Sequence, residues 1–82
     1  MKKIQIYTVD YCTYCKKALA FLKEHNVEFE NIDITKNEEE MRKKLGEQYH
    51  IEGRVTVPQI IVDGERLGGC DDMLANPDAV LK

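Results

Sequence analysis

A change of hydrophobic period at Cys12 constrains this chain more than any other feature. Before it, Ile4 and Ile6 flank Gln5 and lead to Val9, the alternation of a short strand running into a loop over Thr8 to Tyr11. After it, Cys15, Ala18, Leu19 and Leu22 recur at helical spacing, while Lys16, Lys17, Lys23 and Glu24 take the other faces. This predicts an amphipathic helix ending near Asn26. The segment VEFENIDI then carries Val27, Phe29, Ile32 and Ile34 and reads as a second strand. A strand reached from its neighbour through one helix lies parallel to it, and the crossover is right-handed.

The remaining sequence adds a second helix, a hairpin and a helical end. Asn37 precedes Glu38, Glu39 and Glu40 in the manner of an N-cap followed by acids that complement the helix dipole. Met41, Leu45 and Tyr49 mark the apolar face of this helix, and Gly53 is expected to end it. Pro58 precedes QIIVDGERLGG, where Asp63-Gly64 between apolar runs predicts a tight two-residue hairpin. Asp71 and Asp72 precede Met73, Leu74 and Ala75, and Asn76-Pro77 opens a final helical turn reaching Leu81. The order is βαβαββα, an α/β fold with a four-stranded mixed sheet flanked by about three helices. With 82 residues and no linker or repeat, residues 1–82 are read as a single domain around one core.

Charge removes several classes of partner. The chain has 12 basic and 15 acidic residues and a net charge of -3, so it lacks the cationic footprint that nucleic acid requires. MKKIQIYTVD has a charged start without a continuous apolar stretch behind it, and no run approaches the roughly 20 apolar residues that span a bilayer. The expectation is a cytoplasmic monomer with no membrane or nucleic-acid partner. Three cysteines are odd in number and too few for a disulfide-stapled secreted scaffold.

Cys12 and Cys15 carry the chemistry. If Cys12 opens the helix and Cys15 lies one turn in, their Cα atoms are about 5 Å apart, inside the roughly 4.4 to 6.8 Å range of a disulfide. Cys12 also meets the unpaired N–H groups and positive dipole end of that helix, which favour an anionic sulfur. Thiolate character raises the population of the attacking form but lowers its intrinsic nucleophilicity, so the larger gain comes when Cys12 is the leaving group. Zinc is the competing use of Cys-x-x-Cys. The other candidate ligands are Cys70, His25 and His50, with no second Cys-x-x-Cys and no His-x-x-x-His, so no metal is expected.

The three separated motifs CTYC, TVP and GGCDD together resemble a glutaredoxin of the dithiol class, and the resemblance covers essentially the whole chain. It implies a thioredoxin-like sheet that presents Cys12 as nucleophile and Cys15 as resolving thiol, with Pro58 in a cis peptide facing them. It also implies glutathione as reducing co-substrate. Its cysteinyl unit would pair with the backbone of Val57 in the segment Thr56-Val57-Pro58, and its γ-glutamyl end would meet Gly69, Cys70, Asp71 and Asp72. Tyr14 would flank the sulfur. The family often has Pro where Thr13 stands and Lys where Val9 stands, and Arg54 is the nearest substitute for that missing cation. Cys70 is read as a small packing residue. The implied activity is a thiol-disulfide oxidoreductase acting on protein disulfides and glutathione mixed disulfides. Two alternatives use the same thiols: a hydrogen donor recharged by a thioredoxin reductase, and a [2Fe-2S] carrier in which Cys12 and an external thiol hold the cluster across a dimer.

Overall fold

In the computed structural model, residues 3–53 and 55–81 are described, so Arg54 lies outside the described residues. The alternation at the start becomes β1 (Ile4–Thr8), in which Ile4, Ile6 and Thr8 are buried and Gln5 and Tyr7 are partly exposed. The chain then forms α1 (Thr13–Glu24), β2 (Glu30–Asp33), a 3-10 turn at Thr35–Asn37, α2 (Glu38–Gln48), β3 (Gln59–Val62), β4 (Glu65–Gly68), α3 (Cys70–Ala75) and α4 (Asp78–Leu81). The four strands make one sheet in the order β2-β1-β3-β4. β2 runs parallel to β1, as its crossover through α1 requires, and β3 and β4 are antiparallel to their neighbours. This is the thioredoxin-like, four-stranded mixed sheet that the resemblance implied.

Local chemistry explains most boundaries. α1 closes with Asn26 in the left-handed region at φ 55, and Val27 N–H reaches back to Leu22 O at 2.9 Å, a Schellman ending that spares the last carbonyls. The same motif ends α2. There His50 takes φ 53 and Ile51 N–H bonds Gly46 O at 3.0 Å, so the helix stops before Gly53 is reached. The expected end at Gly53 is therefore too late. Asn37 does occupy the N-cap of α2, but its side chain makes no capping hydrogen bond. Asp63 and Gly64 both have positive φ, 51 and 84, the signature of the I′ turn that matches the twist of a hairpin. The chain ends in two short helices rather than one, because α3 already starts at Cys70 and Pro77 separates it from α4.

Two apolar clusters place the thiols. Ile4, Ile6 and Ile60 pack with Ala18 and Leu22 of α1 and with Cys70, Met73 and Val80 of the C-terminal helices. The second cluster joins Val9, Cys15 and Ile34, with Tyr7, Ile32, Met41, Cys12 and Val57 around them. Val9 is only 2% exposed, so it is a wall behind Cys15 and not a loop position open to a ligand. Among the described residues, no helix is long and apolar enough to cross a membrane.

Candidate active site

Cys12 is the N-cap of α1, in extended conformation at φ -95 and ψ 120. Its Sγ accepts the Cys15 N–H at 3.4 Å, so the first turn of the helix directs a backbone donor at the sulfur. The same Sγ lies 3.7 Å from Val57 O, and the Val57-Pro58 peptide is cis. Cys12 is partly exposed, whereas Cys15, one turn into α1, is buried. The three cysteines are free thiols.

Burial governs the protons of Cys15 and Cys70. Burial pushes the Cys15 thiol up to about 12, and its hydrogen bond to Cys12 and the charge of Cys12 push in the same direction. A hydrogen bond from the Val9 backbone and the positive charge of Arg42 oppose this without reversing it. At neutral pH, Cys15 therefore keeps its proton. Burial also raises the Cys70 thiol, with the charge of Asp71 adding to the effect, so Cys70 is a buried neutral thiol.

A groove of about 350 Å³ is lined by Val57, whose carbonyl oxygen lies 3.7 Å from Cys12 Sγ, although Cys12 is not itself in the lining. Its walls bring together Tyr14, Thr56, Val57, Pro58, Gly69, Cys70, Asp71 and Asp72, eight positions drawn from three separated segments. Tyr14 stands 55% exposed at the helix tip, with Lys17 Nζ 5.4 Å from its ring centroid. Asp72 Oδ2 accepts the Gly69 N–H at 2.9 Å, which fixes its carboxylate in the groove wall. Among the described residues, no group of three or more His, Cys, Asp or Glu is placed to hold a metal ion.

Sequence reasoning missed two features. Arg66 of β4 lines the same groove, and its Nε–H donates to Gln59 Oε1 at 2.9 Å. In the sequence it is one charge in a hairpin of mixed polarity, and only the cross-strand contact assigns it a direction. The second is a tie across the site. Tyr11 O–H donates to Glu38, Glu38 pairs with Arg42 Nη2 at 3.5 Å, and Arg42 Nη1 donates to Val55 O at 3.0 Å. The loop that delivers Cys12 is thereby fastened to α2 and to the segment leading into Val57. A tyrosine beside the first cysteine and acids at the start of α2 were its separate signals.

Comparison with known proteins gives a consistent picture. Residues 4–67 match the family model described as Glutaredoxin. Glutaredoxin 3 of Escherichia coli K12 is 41% identical over 78 residues, covering 92% of this chain and 86% of that protein. The crystal structure of glutaredoxin 1 from Francisella tularensis, complexed with cacodylate, superposes with a TM-score of 0.86 at 28% identity, over 99% of this chain and 98% of that one. A buckwheat glutaredoxin-glutathione complex shares the fold with a TM-score of 0.80 at 20% identity, over 98% of this chain and 73% of that one.

Proposed function

Because this chain belongs to the glutaredoxin family and is a thiol-disulfide oxidoreductase, we propose that it reduces protein disulfides and glutathione mixed disulfides through a Cys12-Cys15 dithiol, with glutathione restoring both thiols. The observation that carries this reading is the asymmetry of the pair. One sulfur is at the helix tip with a backbone donor aimed at it, and the other is buried and held protonated.

The asymmetry orders the steps. Cys12, as thiolate, attacks one sulfur of the substrate disulfide, and the other sulfur leaves as a thiolate that water protonates. Cys15 then gives up its proton and attacks Cys12 Sγ. The Cys12-to-substrate bond breaks, the second substrate sulfur leaves, and the Cys12-Cys15 disulfide has taken the place of the substrate's. Two of the causes that hold the Cys15 proton come from Cys12 itself. Both disappear once Cys12 is in the mixed disulfide, so Cys15 becomes easier to deprotonate only when its attack is useful.

Glutathione reverses the change. One glutathione thiolate attacks Cys12 Sγ, and Cys15 leaves and regains a proton. A second attacks the glutathione sulfur of that mixed disulfide, releasing Cys12 as thiolate and glutathione disulfide as product. For a glutathionylated protein, Cys12 takes the glutathione directly and only this last exchange is needed. In the groove, the glutathione cysteinyl backbone pairs with Val57 and the γ-glutamyl head reaches Gly69, Cys70, Asp71 and Asp72, with Thr56 and Pro58 forming the wall and Tyr14 the rim. The glutathione complex of the buckwheat protein supports a ligand of this class.

The test is turnover of a small-thiol glutathione mixed disulfide with glutathione and glutathione reductase, beside a thioredoxin reductase system. The rate should saturate with glutathione, and thioredoxin reductase alone should give none. Turnover with thioredoxin reductase but not with glutathione would make the protein a hydrogen donor of the other kind.

A further inference from the structure

The resolving step needs Cys15 as a thiolate, yet the fold buries it. Among the described residues, two charges act on this thiol, those of Cys12 and Arg42. The Cys12 charge opposes loss of the proton and the Arg42 charge assists it. Once Cys12 is bonded to a substrate sulfur it carries no charge, and Arg42 alone remains. Of the side chains in the apolar cluster of Cys15 other than Cys12, only Tyr7 titrates, and burial raises its phenol so that it stays neutral.

Arg42 is held in place by two partners. On α2 it follows Met41, which packs against the cluster of Cys15. Its Nη1 donates to Val55 O at 3.0 Å and its Nη2 pairs with Glu38 at 3.5 Å, so its planar fork is gripped by the backbone two residues before Val57 and by the first turn of its own helix. The side chain is 17% exposed, and water and salt screen such a charge less than one on the surface. Its Nε is buried and has no hydrogen-bond partner among the described residues. A buried cation with an unsatisfied donor costs stability, so packing alone does not account for it.

We infer that Arg42 is a positioning residue for the resolving step: gripped by Val55 O and Glu38, it keeps a fixed positive charge near Cys15 while that thiol attacks the Cys12 mixed disulfide. This rests on the dithiol reading above. In the step, the Cys15 proton passes to water and Cys15 Sγ bonds Cys12 Sγ. The bond from Cys12 to the substrate sulfur breaks, and that sulfur leaves with the electron pair as a thiolate. Arg42 exchanges no proton, because a guanidinium stays charged throughout.

The experiment mixes reduced protein with dithiobis-nitrobenzoate in a stopped-flow instrument and follows thionitrobenzoate release without any glutathione. Attack by Cys12 releases the first equivalent at a rate that rises with reagent concentration. Attack by Cys15 releases the second at a rate that does not, and Cys15→Ser should lack this phase. In Arg42→Met, a tenfold smaller Cys15 thiolate fraction, offset about 3-fold by higher intrinsic nucleophilicity, should leave the second phase about 3-fold slower at neutral pH. Its pH profile should move to higher pH, while the first phase stays within about 2-fold. Arg42→Lys keeps the charge without the fork and should stay within about 2-fold of wild type in both phases. Glu38→Gln keeps an acceptor for Arg42 but removes the countercharge, so its second phase should be as fast as wild type or faster. An unmoved second-phase profile in Arg42→Met, an Arg42→Lys as slow as Arg42→Met, or a slower Glu38→Gln overturns the inference alone. If Arg42→Met does not fold, the Lys and Gln variants decide by the same criteria. A second phase that survives in Cys15→Ser overturns the dithiol reading and this inference with it.

Discussion

Replacing Gly68 by alanine should damage the groove through one contact. Gly68 has φ 128, a region that residues with a Cβ rarely adopt. A Cβ built there would meet Asp72 Oδ2 at 2.3 Å, Asp72 Cγ at 2.7 Å and Asp72 Cβ at 2.9 Å. Rotating the Asp72 side chain can remove the first two clashes but not the third, because its Cβ is fixed to the backbone of α3. Rotation also breaks the bond from Gly69 N–H to Asp72 Oδ2. The backbone strain is worth about 1 to 3 kcal/mol and the charge-assisted hydrogen bond about 1 to 2 kcal/mol. The sum is about 2 to 5 kcal/mol, which for a chain of this length is a fall in Tm of about 8 °C or more. Urea unfolding followed by circular dichroism reads the first effect, and the KM for glutathione the second, since Asp72 is displaced. If Gly68→Ala unfolds within about 0.5 kcal/mol of wild type, the argument from the Asp72 contact is wrong.

Two further outcomes follow from burial around Cys15. The Cys15 thiol sits at about 12 in the fold against 9.0 as its ordinary value, so the unfolded chain releases that proton first as pH rises. Its contribution is complete below pH 9 and is lost between 9 and 12, at up to about 1.4 kcal/mol per pH unit. Under reducing conditions, the stability of wild type at pH 10 should have dropped by about 1 kcal/mol more than that of Cys15→Ala, and parallel pH curves would contradict this. Val9→Lys restores the residue type that the family often has, yet it puts an ammonium group where a side chain is 2% exposed against Cys15 and Ile34. It should cost about 3 kcal/mol or more by urea unfolding, and an equally stable variant that binds glutathione more tightly would show that this side chain reaches the groove.

The sequence carried the frame because the frame depends on local period. Ile4 and Ile6 against Ala18 and Leu22 already mark which faces meet, and Asp63-Gly64 already marks the hairpin. Errors arise where a residue acts against its type. Histidine is not the usual left-handed helix terminator, yet His50 takes that role ahead of Gly53. Val9 reads as an apolar loop residue until Ile34 and α1 cover it. Gln59 and Arg66 carry no signal of their own in the sequence, and only pairing of β3 with β4 lets one bury its amide against the other. The candidate groove was legible as far as three motifs converge on it, and illegible where a charge depends on a neighbour from another strand for its direction.

The central claim is the division of labour between Cys12 and Cys15, and turnover of a glutathione mixed disulfide by the two serine variants tests it most directly. Cys12→Ser should have no activity, because the buried and protonated Cys15 cannot take over the attack. Cys15→Ser should retain a large part of the rate on this substrate, since glutathione alone can resolve the Cys12 mixed disulfide, while losing the reduction of protein disulfides that needs the second thiol. An inactive Cys15→Ser beside an active Cys12→Ser would reverse the two roles and contradict the account.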